Sequence, residues 1–129
     1  MILLDTHVLV WLQREPRKSS RAAESAIRRA QVRDELAISA ATLVELARLI
    51  SHGRVKSTNT IESTIRQFVA GVELLPVSVE VATLTAHFPS GFPSDPMDRI
   101  IAATARAEGI PLVTADERIQ ACPLVKTIW

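Results

Sequence analysis

The chain has no tyrosine, two tryptophans and three phenylalanines. So few rings exclude a ligand surface dominated by stacking on aromatic platforms. Cysteine occurs once, as Cys122, which excludes an internal disulfide and any cysteine-rich zinc site. A small apolar filler near the C-terminus is the reading left for it. No apolar run is long enough to span a membrane. The opening MILLD carries no basic segment, and Asp5 interrupts its apolar residues, so no signal peptide is expected and the cytoplasm is the expected compartment. Excess charge is missing too. The 15 basic and 14 acidic residues leave a net +1, and charge alone therefore does not mark a nucleic-acid-binding surface.

What is present suits one globular domain over residues 1–129: 47% of the residues are apolar and 22% charged, enough for a substantial core. The basic residues are unevenly spread. Arg14, Arg17, Lys18, Arg21, Arg28, Arg29 and Arg33 share their stretch with only Glu15 and Glu24. A solvated amphipathic helix and a phosphate-contacting surface account for this equally well.

Hydrophobic periodicity and punctuation give an alternating pattern. Ile2-Leu3-Leu4 reads as a short buried strand, and Asp5-Thr6 starts a helix through about Gln13. A second helix runs from Ser19-Ser20 to about Arg33. Leu36-Ala37-Ile38 is a strand, followed by a helix with Ser39 as N-cap and Gly53 as its stop. A fourth helix starts at Thr58 or Thr60 and ends at Gly71. Val72 to Val77 is a strand, and Ser78 opens a helix to about His87. The loop PSGFPS precedes a helix from Pro96 to Glu108, closed by Gly109. Pro111 to Thr114 is a strand, Asp116 opens a short helix, and Val125 to Ile128 is a last strand. Strands alternating with helices predict an α/β fold with a central parallel sheet of four to five strands and helices on both faces. In such sheets ligands bind outside the carboxyl ends of the strands.

Four acidic residues are therefore of interest. Asp5 follows the first strand directly, where an N-cap is its simplest role. Glu45 is the only charged residue between 36 and 47. It sits at the edge of a face marked by Leu43, Leu46, Ala47 and Ile50. A surface ion pair with Arg48 is the plain reading, yet a carboxylate among apolar neighbours is costly unless paired or metal-bound. Asp116 follows the fourth strand in LVTAD and suits an N-cap, with Thr114 in reach of it or of a ligand. In SDPMDRIIAATA, Asp95 suits the N-cap, Pro96 the first helical position and Asp98 the third. The two aspartates resemble a capping box, but Asp is too short to do the work of Glu at that position.

If Asp5, Glu45, Asp98 and Asp116 converge, their like charges repel in a partly dry site. No lysine in these motifs neutralises them, whereas a hard divalent cation with oxygen ligands does: Mg²⁺, or Mn²⁺ as the second choice. Such a site activates water and stabilises an anionic phosphorane-like transition state. Phosphodiester hydrolysis is the reaction this implies.

LLDTHVLVW, ATLVELA, DPMDRIIAATA and PLVTAD, in this order and over Ile2 to Ile128, resemble the PIN domain, and more closely the VapC-type toxins of toxin–antitoxin systems. The resemblance implies a PIN-like three-layer sandwich and a metal-dependent endoribonuclease that acts on RNA. It also implies a cognate antitoxin that blocks the site and a homodimer. It carries the family's acidic quartet onto Asp5, Glu45, Asp98 and Asp116. Asp5, Asp98 and Asp116 match metal ligands, and Glu45 the residue that positions or deprotonates water. Thr6 and Thr114 match hydroxyls lining the site for substrate. His7 stands where many members carry Asn. It is placed to touch substrate, but packing beside Trp11 is the simpler role. His52 and His87 read as surface or structural. A catalytically silent PIN-like module binding RNA or protein is the rival reading. A phospho-receiver domain fits less well, because Asp5 has no adjacent acid and Lys126 comes late.

Overall fold

Alternating burial along the first strand sets the layers of this fold, seen in a computed structural model describing residues 1–129. In β1 (Ile2–Leu4), Ile2 and Leu4 pack into one core and Leu3 into a second. The same division runs through β2 (Leu36–Ser39), with Leu36 and Ile38 on one side and Ala37 on the other. It also runs through β4 (Leu112–Val113), where Val113 joins the first core and Leu112 the second. A strand buried on both faces carries apolar residues at every position, which is why ILL and LAI show no polar alternation.

β3 (Glu73–Leu75) and β5 (Thr127–Ile128) complete a parallel sheet of five strands, ordered β3-β2-β1-β4-β5. The first core lies under α1 (Thr6–Arg14), α2 (Arg21–Val32), α3 (Ala40–Ser51) and α4 (Ile61–Val69). The second lies under α6 (Pro96–Glu108) and α7 (Glu117–Gln120), with α5 (Val79–Leu84) packed on α6. The result is a three-layer arrangement with helices on both faces, as expected.

Several elements differ from the expected bounds, among them β4, which keeps only the middle two of its four expected residues. β3 stops at Leu75 rather than Val77, because Pro76 offers no amide to the ladder. Glu73 and Leu74 are exposed, as suits a strand at the sheet edge. α5 ends at Leu84, well before His87, where the Thr83 and Thr85 hydroxyls donate back to the carbonyls of Val79 and Ala82. β5 is confined to its last two expected residues. Pro16–Lys18 forms a 3₁₀ turn between the first two helices.

The strand order reverses around β1, which has β2 on one side and β4 on the other. The crevice of such a sheet opens at the carboxyl ends of those strands. α3 straddles this edge, since Ala41 belongs to the second core and Leu46 to the first.

Candidate active site

Asp5 leaves β1 and caps α1, accepting the Thr6 amide at 2.8 Å through Oδ1. Its Oδ2 accepts the Thr114 hydroxyl at 2.7 Å. Thr114 in turn accepts the Asp116 amide at 3.1 Å. One hydroxyl thus ties the end of β4 to the end of β1, and Asp5 is buried to 8% exposure. Burial raises its carboxyl above the usual carboxylate range, against the lowering effect of the Thr114 and Thr6 hydrogen bonds.

Glu45 makes no ion pair with Arg48. The five ion pairs of the chain involve neither residue. Its Oε1 instead accepts the Thr6 hydroxyl at 2.5 Å, and Thr6 lies 3.1 Å from the Thr42 hydroxyl. The reason is the orientation of α3. Its buried residues are Ala41, Thr42 and Leu46, while Leu43, Ala47 and Ile50 are only partly covered. Glu45 is one turn beyond Ala41 and Thr42 and so points inward over the crevice. Burial is the main cause of its raised pKa, and the Asp5 carboxylate adds to it.

At the head of α6, Asp95 caps through Oδ1, which accepts the Met97 amide at 2.8 Å. The reciprocal bond of a capping box is absent. The Asp98 side chain makes no hydrogen bond and is half-buried, facing the other acids. Burial first, then repulsion from Asp5, Asp95, Glu45 and Asp116, pushes its carboxyl up to about 7.

Asp5, Glu45 and Asp98 come together, each offering an oxygen within 4.8 Å of the others'. Asp116 stands beside this group. Its charge raises the Asp5 and Asp98 carboxyls, while its Oδ1 caps α7 by accepting the Arg118 and Ile119 amides. Three carboxylates this close, with no cation among them, suit a hard divalent ion. All the donors are oxygens, and a bound cation would offset both the burial and the mutual repulsion that raise these carboxyls.

The PIN domain family model matches residues 2–123. The chain belongs to the PIN domain family. It is 38% identical over 130 residues to ribonuclease VapC22 of Mycobacterium tuberculosis, covering 99% of this chain and 98% of that one. Among solved structures, VapBC2 from Rickettsia felis bound to a promoter DNA fragment superposes with a TM-score of 0.74 at 20% identity, covering 98% of this chain and 97% of that one. DNA-bound VapBC from Salmonella typhimurium gives 0.74 at 19%, covering 98% and 95%. At those identities the two structures speak for the fold, and the protein is by sequence a homologue of a VapC ribonuclease.

Within this PIN domain the remaining expectations find definite places. Thr6 is fully buried, and its hydroxyl serves Glu45. His7 is exposed, with its ring 6.1 Å from that of Trp11. Cys122 is a buried free thiol. Arg14 lies at the far end of α1 from Asp5, over the Phe68 ring and donating to the Lys56 carbonyl. Arg28 and Lys18 pair with Glu24 and Glu15. No helix is long and apolar enough to cross a membrane.

Two features escaped the sequence reading. Thr42 is a buried partner of Thr6 whose role depends on a contact 36 residues away. Beside Glu45 and Asp95 opens a cleft of about 260 Å³ lined by His7, Arg48, His52 and Arg54. Glu45, Arg48 and His52 fall at helical spacing on one face of α3, a signal present in the sequence.

Proposed function

We propose that this PIN domain is a VapC-like endoribonuclease that uses Mg²⁺, with Mn²⁺ as a substitute, to hydrolyse phosphodiester bonds of RNA. The observation that carries the reading is the convergence of Asp5, Glu45 and Asp98, with ligand atoms within 4.8 Å of one another. Its family kinship to a ribonuclease adds the substrate class. Asp5 and Asp98 would hold the ion, with Asp116 beside them completing its shell, and the ion would polarise the phosphate and lower the pKa of its water. Thr6 orients Glu45 by engaging Oε1, and this leaves Oε2 to take the proton of the attacking water. The raised pKa of Glu45 brings it nearer the working pH of a general base. Thr114 locks the Asp5 carboxylate toward the crevice, and His7 at its exposed rim meets the RNA strand.

The structural neighbours are described as VapBC complexes. This supports a cognate antitoxin, which in this reading covers the site; a homodimer in the cytoplasm belongs to the same reading, from the resemblance to VapC-type toxins. The test is incubation of the protein with single-stranded RNA in Mg²⁺, Mn²⁺ or EDTA, beside Asp98→Asn prepared identically. Cleavage that requires metal and vanishes in the variant is expected. Cleavage that persists in the variant overturns the site. A folded protein that binds RNA and never cuts it favours the silent binding module.

A further inference from the structure

Cations on this surface fall into two groups. Arg28 and Arg66 are each held by a carboxylate one helical turn away, and Lys18 pairs with Glu15. Arg48 and Arg54 are exposed, form no ion pair, and line the same cleft as Glu45 and Asp95. Arg17, Arg21 and Arg33 are also unpaired but stand outside that cleft. The backbone builds the arrangement. Glu45, Arg48 and His52 share one face of α3 over about 10 Å of helix. The helix then ends in a Schellman turn, with Gly53 at φ +75°. The Gly53 amide donates to the Ile50 carbonyl at 3.1 Å and the Arg54 amide to the Leu49 carbonyl at 2.9 Å. That turn folds Arg54 back beside Leu49, toward Arg48 and His52.

The cleft is thus continuous with the carboxylate cluster at Glu45 and becomes cationic away from it. A polyanion whose reacting group sits at Asp5 and Asp98 needs this distribution: acids with a metal where bonds change, and free cations where the chain leaves. We propose that Arg48 and Arg54, with His52, seat the backbone phosphates next to the scissile one. This rests on the ribonuclease reading above. Such contacts fix the register and direction of the strand and carry no base preference. An acidic segment of a partner protein has the same charge but carries no phosphodiester to place at the carboxylate cluster.

The test uses the full chain carrying Asp98→Asn, so that a labelled single-stranded RNA oligonucleotide in Mg²⁺ is bound without being cut. Binding is followed by fluorescence anisotropy over a series of salt concentrations. Adding Arg48→Gln with Arg54→Gln is expected to weaken binding about ten-fold for every sequence tried. The slope of log K against log salt should become shallower by about 1.4, the release expected for two single-strand phosphate contacts. Arg48→Lys with Arg54→Lys keeps the charge and most of the slope, and Arg28→Gln with Arg66→Gln leaves binding within about two-fold. Unchanged RNA binding by the double glutamine variant overturns the proposal, as does a loss with no change of slope. It is also overturned if that variant binds RNA normally but loses an acidic protein partner. Failure of the ribonuclease reading shows separately, as absence of metal-dependent cleavage by the unsubstituted protein.

Discussion

Asp95 and Asp98 head the same helix, and burial separates their roles. Asp95 is exposed and spends one oxygen on the Met97 amide. Replacing it by Ala should cost about 1 kcal/mol of unfolding free energy, the usual worth of an N-cap, in urea denaturation. Asp98 is half-buried among like charges, and its carboxyl titrates near 7 instead of 3.8. Between those values the native state holds a proton that the unfolded chain has released. Metal-free protein should therefore lose stability as pH rises through that window. Asp5 and Glu45 are shifted in the same direction. Denaturation in EDTA at pH 5 and pH 8 checks the sign, with the acid condition favoured by these groups. Asp98→Asn should flatten the difference. Equal pH slopes in both proteins would show that the proton resides elsewhere.

At the scale of elements, the end of α3 is the most exposed to change. Gly53 has φ +75° and open space around its Cα, so Gly53→Ala meets no clash but pays for a left-handed backbone, about 1 kcal/mol. It should also displace Arg54 and weaken RNA binding, whereas Gly71→Ala, equally strained at φ +75° but outside the cleft, should cost stability alone. Comparing thermal melts and RNA anisotropy for the two separates the effects. These elements also mark what the sequence makes legible. Ser39, Thr60, Ser78 and Asp95 cap the helices their side chains announce, because capping is local chemistry. The end of β3 turns on the missing amide of Pro76 and that of α5 on competing threonine hydroxyls, neither of which periodicity encodes. Glu45 departs from the plain Arg48 pairing for a related reason. A pair with Arg48 is local, but Thr6 arrives through the fold, 39 residues away, and wins because α3 turns Glu45 inward. The four acids were visible as strand and helix termini. That only Asp5, Glu45 and Asp98 meet closely while Asp116 stands aside is a matter of distances set by the sheet.

On the scale of the whole molecule, the site joins parts of the chain that only the folded sheet and its packed helices hold together: the end of β1, the start of α6, and α3 between the two cores. Without a cation, each carboxylate brought there opposes folding, as the raised pKa values of Asp5, Glu45 and Asp98 record. A divalent ion held there would reverse that sign, because it would bind the assembled cluster and not the dispersed acids of the unfolded chain. At a free concentration one hundred times its dissociation constant it adds about 2.7 kcal/mol of stability. Mg²⁺ or Mn²⁺ should therefore raise the melting temperature at pH 8. The rise should fade as pH falls below 7, where Asp98 takes up its proton and competes with the metal. Asp98→Asn should abolish most of it, while Arg48→Gln with Arg54→Gln, which leaves the carboxylates intact, should keep it. Differential scanning calorimetry across pH and cation concentration reads all these outcomes. A melting temperature indifferent to Mg²⁺ and Mn²⁺ at pH 8 would mean that the cluster holds no ion of that kind, and the hydrolytic reading would fall with it.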